Sequence, residues 1–274
     1  MPQPQIFWRR LTGKRALVTG AGTQGEGVGT GKAIAYLFAR EGARVCLVDQ
    51  DETRARATER MIAADGGESM LCAADVTRFE DCERAVAATV ERYGGLDILV
   101  NNVGIASGGT RLDKLQESDW QRLFDVNLKS AFLMSKAALP HLIACGAGAI
   151  VNIASIAGVR AHGSLAYGPS KAAMIALTRE LAVIHGRDGI RANVIAPGHI
   201  YTPLAAGLLG EQARARRRAI APLGLEGDAW DIASAALFLA SPEARFISGV
   251  CLAVDGGVTE TGPSKAAEFL QGLT

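Results

Sequence analysis

The sequence predicts an α/β fold in which helices cover both faces of a doubly wound, parallel sheet of about seven strands. Short β-branched segments alternate with longer segments of helical period along the chain. Most of the short segments are apolar throughout, as expected for strands that helices cover on both sides. No repeat, linker or low-complexity tract interrupts the alternation. We therefore expect a single domain over residues 1–274, with a core from 11 to 258.

The individual elements follow from these patterns in chain order. Strands are predicted at Arg15–Thr19, Arg44–Val48, Ser69–Ala73, Asp97–Asn101, Ala149–Ile153, Arg191–Ile195 and Cys251–Val254. Helices are predicted at Gly31–Glu41, Glu52–Ala64, Cys82–Arg92, Asp119–Leu142, Tyr167–His185 and Asp228–Ala240. Residues 200–225 break the alternation and are predicted to be a substrate-loop insertion, and 259–274 a C-terminal tail. Ligands of such sheets bind beyond the carboxyl ends of the strands, so the functional residues are expected there.

Composition narrows the classes of function. Of the 274 residues, 49% are hydrophobic and 21% charged, and the net charge of +1 offers no basic surface for nucleic acid or anionic lipid. The five cysteines are scattered without metal-ligand spacing, which predicts reduced thiols and no metal site. We expect a cytoplasmic protein, because the sequence contains neither a signal peptide nor an apolar run long enough to span a membrane. One local cluster of charge is interpreted as a solvated helix face: Arg214, Arg216, Arg217 and Arg218.

A glycine-rich segment joins the first predicted strand to the first predicted helix. It runs from Thr19 to Lys32 with the sequence TGAGTQGEGVGTGK. Glycine lets the backbone turn tightly and approach a pyrophosphate, whose charge is met by free N–H groups at the helix N-terminus. Because the segment follows a strand and opens a helix that leads to a second strand, it predicts a dinucleotide-binding site.

An aspartate at the end of the second predicted strand indicates which dinucleotide is bound. The carboxylate of Asp49 can accept both hydroxyls of an adenosine ribose, and it would repel a 2′-phosphate. The next residue is Gln50, so no arginine directly follows Asp49. This pattern favours NAD(H) over NADP(H). The alternative interpretation, a helix N-cap, fits Asp51 better than Asp49.

Further motifs carry a family resemblance. In chain order they are Asp75-Val76, Asn101-Asn102-Val103-Gly104, Asn127, Ser155, Tyr167 with Lys171, Pro197-Gly198 with Thr202, and Asp255-Gly256-Gly257. With the glycine-rich segment, they resemble the short-chain dehydrogenase/reductase family from about Leu11 to Val258. The resemblance implies a Rossmann-like fold, hydride transfer to or from a nicotinamide cofactor, and a cofactor site formed by Gly20, Gly29, Gly31, Asp49, Asp75, Val76, Asn102, Gly104, Tyr167, Lys171, Pro197, Gly198 and Thr202.

The predicted catalytic residues are those that such a hydride transfer needs. The alcohol proton must leave or arrive with the hydride, but a free tyrosine, with a pKa of roughly 10, is a poor base at neutral pH. Lys171 lies one helical turn beyond Tyr167 on the same face, where its charge can stabilise a phenolate. By resemblance, Lys171 also binds the nicotinamide ribose, Ser155 holds the substrate oxygen, and Asn127 positions a water beside Lys171. Each residue alone also suits a structural role, but their joint occurrence in this order favours catalysis.

The glycine-rich segment departs from the family pattern because it is about five residues too long. One assignment gives the three family glycines to Gly20, Gly29 and Gly31, which leaves Gln24–Val28 as an added loop. We prefer it because the residues from Gly31 onward have the usual sequence of that helix start. The alternative uses Gly25, Gly27 and Gly29 and places the extra residues at the helix start. The added loop is interpreted as a surface bulge or as a partial cover over the cofactor.

The substrate end is less well defined by the sequence. The interval from Ser155 to Tyr167 is one residue shorter than usual and contains Arg160 and His162, which are expected at the surface near the pocket entrance. Apolar residues in 200–225, among them Ile200, suggest a mainly apolar pocket with a mobile lid.

Three functions are compatible with these residues. The leading hypothesis is the reversible oxidation of a secondary alcohol to a ketone by NAD. A 3-oxoacyl thioester reductase is the second, although Asp49 argues against the NADPH dependence usual for it. A non-catalytic, nucleotide-sensing regulator is the third, but Tyr167 and Lys171 are retained. By resemblance we expect a homotetramer that pairs through the helices Asp119–Leu142 and Tyr167–His185, with apolar contacts from Leu123, Phe124, Phe132, Leu133, Met174 and Leu177.

Overall fold

The computed structural model describes residues 9–106, 111–206 and 209–271. Its main sheet has seven parallel strands in the order β3-β2-β1-β4-β5-β6-β9, and a separate parallel pair joins β7 to β8. The strands are β1 Arg15–Thr19, β2 Arg44–Asp49, β3 Glu68–Ala73, β4 Ile98–Asn101, β5 Gly148–Ile153, β6 Ile190–Pro197, β7 Ile200–Tyr201, β8 Gly227–Asp228 and β9 Cys251–Val254. The predicted α/β fold is confirmed. The strand order reverses between β1 and β4, which opens a crevice at the carboxyl ends of these strands.

Helices connect the strands of the main sheet. They are α1 Thr30–Arg40, α2 Glu52–Ala64, α3 Phe79–Tyr93, α4 Glu117–Phe124, α5 Ser130–Ala144, α6 Tyr167–His185, α7 Pro203–Ala206, α8 Glu211–Ile220, α9 Ala229–Ala240 and α10 Pro263–Gln271. Asp51 caps α2 by accepting hydrogen bonds from the N–H groups of Thr53 and Arg54, which confirms its predicted role. Within the described residues, no helix combines the length and the apolar character needed to cross a membrane.

The core lies in two layers, one on each face of the main sheet. On one face, α1 and α9 pack against the strands through buried side chains such as Phe38 and Leu237. On the other face, α3 and α5 do so through Val86 and Met134. Both layers are apolar, which explains why the strands lack an alternating pattern.

The predicted helix Asp119–Leu142 is interrupted. A π-helical turn, Asp125–Lys129, separates α4 from α5 and contains the buried Asn127. Such a turn inserts one residue into a helix and changes which side chains face inward, yet it leaves the helical period of the sequence almost unchanged. The sequence therefore predicted one helix where the structure has two helices and a turn.

Two other differences lie towards the C-terminus. The predicted tail 259–274 contains the helix α10, and the segment 200–225 contains α7 and α8 within its described residues. The pair β7 and β8 was not predicted, because strands of two residues are too short to show a period. Residues 207 and 208 of the predicted substrate loop lie outside the described residues.

The interpretation of the arginine cluster on α8 as a solvated face is wrong for two of its members. Arg214 and Arg217 both pair with Glu226, at 3.0 Å and 3.1 Å, and the Glu226 side chain is only 3% exposed. Arg217 also donates a hydrogen bond to the carbonyl oxygen of Ile200. The arginines therefore fasten α8 to β7, beside the carboxyl edge of the sheet.

Candidate active site

A cleft of about 740 Å³ opens at the carboxyl ends of the central strands, a size typical of small-molecule sites. Every residue predicted to bind the cofactor lines it, and so does Ser155. These residues are Gly20, Gly29, Gly31, Asp49, Asp75, Val76, Asn102, Gly104, Tyr167, Lys171, Pro197, Gly198 and Thr202. Asn127 is fully buried behind the wall of the cleft.

The glycine-rich turn approaches the cleft through two positions that require glycine. Gly20 has a φ of +63°, a left-handed conformation that side chains disfavour. A Cβ on Gly31 would overlap the carbonyl oxygen of Gly20. Helix α1 begins at Thr30, directly after Gly29. This helix start agrees with the preferred assignment, in which Gln24–Val28 is an added loop before the helix.

Asp49 lies at the end of β2, where its carboxylate borders the cleft. One carboxylate oxygen accepts the N–H of Gly22 at 2.9 Å, and the other accepts the N–H of Asp51 at 3.0 Å. Arg54, which was not predicted from the sequence, also lines this end of the cleft. Arg54 is paired with Asp51, its Nε lying 3.0 Å from the carboxylate. Its place in the first turn of the predicted helix Glu52–Ala64, close in sequence to Asp49, could have indicated that it lies near this end of the cleft.

The Asn-Asn-Val-Gly segment ties β4 to the glycine-rich turn. The side-chain amide of Asn102 donates hydrogen bonds to the carbonyl oxygens of Thr19 and Gly20, each at 3.1 Å. Gly104 faces Lys171, since a Cβ at Gly104 would lie 2.9 Å from the lysine Nζ. Glycine at this position therefore leaves room for the ammonium group.

Tyr167 is the first residue of α6 and faces Ser155, which follows β5. Burial raises the pKa of the Tyr167 phenol, and its hydrogen bond with Ser155 acts in the opposite direction. Lys171 was predicted to stabilise the phenolate, but in the chain alone burial has the largest effect on the pKa of the phenol.

Lys171 is buried, with a side chain that reaches the floor of the cleft. Its Nζ donates a hydrogen bond to the carbonyl oxygen of Ile153 at 3.0 Å and lies 5.9 Å from the centre of the Tyr167 ring. Because burial disfavours the charged form, the pKa of Lys171 falls to about 8. The ammonium group therefore titrates near the range in which enzymes work.

The side chain of Asn127 connects two segments of the site. Its Oδ1 accepts the N–H of Ile105 at 2.7 Å, and its Nδ2 donates to the Ile105 carbonyl oxygen and to Ser170 Oγ, both at 3.0 Å. Ser170 in turn donates to the carbonyl oxygen of Tyr167. Asn127 thus ties the segment after β4 to the first turn of α6, and its side-chain amide is already engaged by these contacts.

The far wall of the cleft is formed by Pro197, Gly198 and Thr202. A Cβ on Gly198 would overlap Asp255, whose carboxylate accepts the N–H of Gly257 at 2.9 Å. The Asp-Gly-Gly motif after β9 therefore supports this wall from behind.

Comparisons with known proteins agree with this geometry. A family model described as enoyl-(acyl carrier protein) reductase matches residues 25–259. A 2,5-dichloro-2,5-cyclohexadiene-1,4-diol dehydrogenase from Sphingobium indicum is 39% identical over 249 residues, which cover 90% of this chain and 97% of the relative. The structure of a protein from Burkholderia xenovorans, described as a short-chain dehydrogenase/reductase, is 45% identical, covers 92% of this chain and 99% of that one, and has a TM-score of 0.87. The chain belongs to the short-chain dehydrogenase/reductase family.

A further structure brings a cofactor into the comparison. Carveol dehydrogenase from Mycobacterium avium, determined in complex with NAD, is 30% identical to this short-chain dehydrogenase/reductase. The alignment covers 92% of this chain and 99% of that one, with a TM-score of 0.85.

The cleft of this short-chain dehydrogenase/reductase fits a dinucleotide. At the N-terminus of α1, the cleft is bordered by glycines whose positions leave no room for a side chain. The free N–H groups of this helix end suit a pyrophosphate. A carboxylate, Asp49, borders one end, and a buried cation, Lys171, the other. Arg160 and His162, expected near the pocket entrance, are exposed and lie outside the residues that line the cleft.

Proposed function

We propose that this chain is an NAD(H)-dependent oxidoreductase that interconverts a secondary alcohol and a ketone, with one domain that both binds the dinucleotide and carries out the reaction. The observation that supports it most strongly is the meeting of Tyr167, Ser155 and Lys171 in one cleft. The Ser155 hydroxyl is close enough to the Tyr167 phenol to lower its pKa, and Lys171 Nζ lies 5.9 Å from the centre of the Tyr167 ring.

Each residue has a distinct role in this proposal. A nicotinamide cofactor would supply the hydride chemistry at the carbinol carbon when bound. Ser155 donates a hydrogen bond to the substrate oxygen and holds it beside Tyr167. In the direction of oxidation, the Tyr167 phenolate accepts the hydroxyl proton; in reduction, the phenol returns it. Lys171 supplies positive charge and would bind the nicotinamide ribose, and Asn127 positions a water beside Lys171 that continues the proton path.

The residues that line the cleft would hold the dinucleotide along its length. The turn with Gly20, Gly29 and Gly31 would bind the pyrophosphate, and Asp49 would accept the hydroxyls of the adenosine ribose. Asp75 and Val76 would border the adenine, Asn102 and Gly104 the middle of the cofactor, and Pro197, Gly198 and Thr202 the nicotinamide carboxamide. The NAD bound to carveol dehydrogenase supports NAD(H) as the cofactor.

Replacing Asp49 by asparagine is expected to relax the choice of cofactor. Asparagine keeps an acceptor for the Gly22 N–H but removes the charge that repels a 2′-phosphate, and Arg54 then borders that phosphate. The ratio of kcat/KM for NAD to that for NADP should fall by about tenfold or more, the equivalent of roughly 1.4 kcal/mol. Steady-state kinetics with both dinucleotides measure it, with Asp113→Asn, at an exposed position outside the cleft, as the matched control. A parent enzyme that prefers NADP would contradict the assignment.

3-Oxoacyl thioesters are the second substrate class, because a 3-oxoacyl-[acyl-carrier-protein] reductase from Vibrio cholerae is 39% identical over 249 residues, which cover 90% of this chain and 98% of the relative. A screen of secondary alcohols with NAD and of ketones and 3-oxoacyl thioesters with NADH, followed by the absorbance of the reduced nicotinamide, distinguishes the two. We expect faster turnover with simple alcohols and ketones. A preference for the thioesters would select the second class.

We further propose a homotetramer that pairs through α4, α5 and α6. Two of the predicted interface residues, Leu123 and Met174, are buried within the subunit, but the same helices expose Trp120, Val183 and Ile184. Ile184→Glu is expected to lower the molar mass measured by light scattering, whereas Leu112→Glu, at an exposed site outside these helices, should leave it unchanged. A monomeric parent would contradict the proposal.

The five free cysteines support a cytoplasmic location.

A further inference from the structure

The added loop Gln24–Val28 contacts the opposite wall of the cleft. Its residues from Gln24 to Gly27 are exposed, and Gln24 lines the cleft. A Cβ on Gly27 would lie only 3.1 Å from Cγ of Pro203, so the backbone there lies against the proline ring. Pro203 begins α7 and also lines the cleft. The loop therefore connects the glycine-rich turn to the first residues of the substrate loop.

Hydrogen bonds at the base of the loop hold it in this position. The hydroxyl of Thr23 accepts the N–H of Gly29 at 3.0 Å, which brings together the residues on either side of the loop. Lys32 donates a hydrogen bond from Nζ to the carbonyl oxygen of Gly27 at 3.3 Å. Gly27 has a φ of +109°, which glycine adopts without strain. The glycine-rich turn can therefore accommodate the added loop without displacing Gly29 or the start of α1.

We propose that Gln24–Val28 acts as a clasp across the dinucleotide cleft and slows the release of the cofactor, with Thr23 as the residue that positions it. The proposal rests on the proposed function, since it takes the cleft to be a dinucleotide site. The contact between Gly27 and Pro203 joins the two walls, so it has to break before a dinucleotide can leave through this side of the cleft.

The rate of NADH release tests the clasp directly. NADH bound to the protein is displaced by excess NAD in a stopped-flow instrument, and nucleotide fluorescence reports the dissociation rate. Deleting Gln24–Val28, which joins Thr23 to Gly29, is expected to raise this rate about tenfold or more. Thr23→Val removes one hydrogen bond and is expected to raise it by up to about tenfold, whereas Thr23→Ser retains the hydroxyl and should restore the parent rate. Glu26→Gln, at an exposed position in the loop, serves as the control.

A double-mutant comparison separates the clasp from a general effect on folding. Pro203→Ala is expected to speed release about threefold in the parent and to have no further effect once the loop is deleted. Release at the parent rate from the deletion variant, or an equal effect of Pro203→Ala in both backgrounds, would overturn the clasp while leaving the proposed function intact. If the parent fails to bind NADH in an equilibrium titration, the proposed function fails and the clasp fails with it.

Discussion

Replacing Tyr167 by phenylalanine is expected to lower turnover by about 10²- to 10⁴-fold while NADH still binds. Phenylalanine keeps the ring in the first turn of α6 but removes the hydroxyl beside Ser155. Without that hydroxyl, no group at this position can take or return the alcohol proton. Steady-state oxidation rates and an NADH titration on the same preparation measure both parts of the expectation.

Tyr201→Phe is the matched control for this substitution. Tyr201 lies in β7, and its ring stacks on the guanidinium of Arg214 at 3.6 Å, a contact that phenylalanine preserves. Loss of its hydroxyl should leave turnover close to that of the parent. Unchanged turnover in Tyr167→Phe, or an equal loss in Tyr201→Phe, would refute the role assigned to Tyr167.

Replacing Lys171 by methionine is expected to lower turnover about 100-fold or more and to weaken NADH binding. The substitution removes the cation that lies below Tyr167 and faces Gly104, while a methionine side chain of similar length still fills the space. Turnover and the NADH dissociation constant are measured on the parent and the variant. Lys129→Met, at a half-exposed position in the π-helical turn, provides the control. Parent-like turnover in Lys171→Met would contradict the role of the charge.

The same variant should change how stability depends on pH. The pKa of Lys171 is lowered to about 8 in the folded protein from 10.5 for the free side chain. Between these values the unfolded chain binds more protons at this position, so the contribution of Lys171 to the free energy of unfolding rises with pH. Burial raises the pKa of Cys46, Cys82 and Tyr93, which lowers stability over the same range in parent and variant alike. The difference in the free energy of unfolding between the parent and Lys171→Met should therefore shift by roughly 3 kcal/mol in favour of the parent as the pH rises. Urea unfolding of both proteins at pH 7.5 and pH 10.5 tests this; a difference that does not change with pH would contradict it.

The sequence predicted the strands well because each is a short apolar segment bounded by turn residues. Arg15–Thr19 and Cys251–Val254 coincide with β1 and β9. Features without a periodic signal were missed. The π-helical turn around Asn127 differs from a continuous helix by one inserted residue, and the pair β7 and β8 is held by contacts between segments far apart in sequence.

The order of the motifs along the chain was enough to predict the site residues. The contacts that these residues make could not be predicted in this way. The sequence indicated Asp49, and only the structure places Arg54 beside it in the cleft. The arginines of α8 have the spacing of an exposed face, although two of them pair with the buried Glu226. The net shift in the pKa of Tyr167 could not be predicted either, because the balance between its burial and its contact with Ser155 depends on the packing around it.

Transfer of a labelled hydride tests the central claim most directly. An alcohol that the screen identifies is prepared with deuterium on its carbinol carbon and incubated with the protein and NAD. The account predicts one ketone formed for each reduced nicotinamide, with the deuterium at C4 of the nicotinamide ring. Dinucleotide binding without reduction of the nicotinamide by any alcohol in the screen, or loss of the deuterium to water, would contradict it.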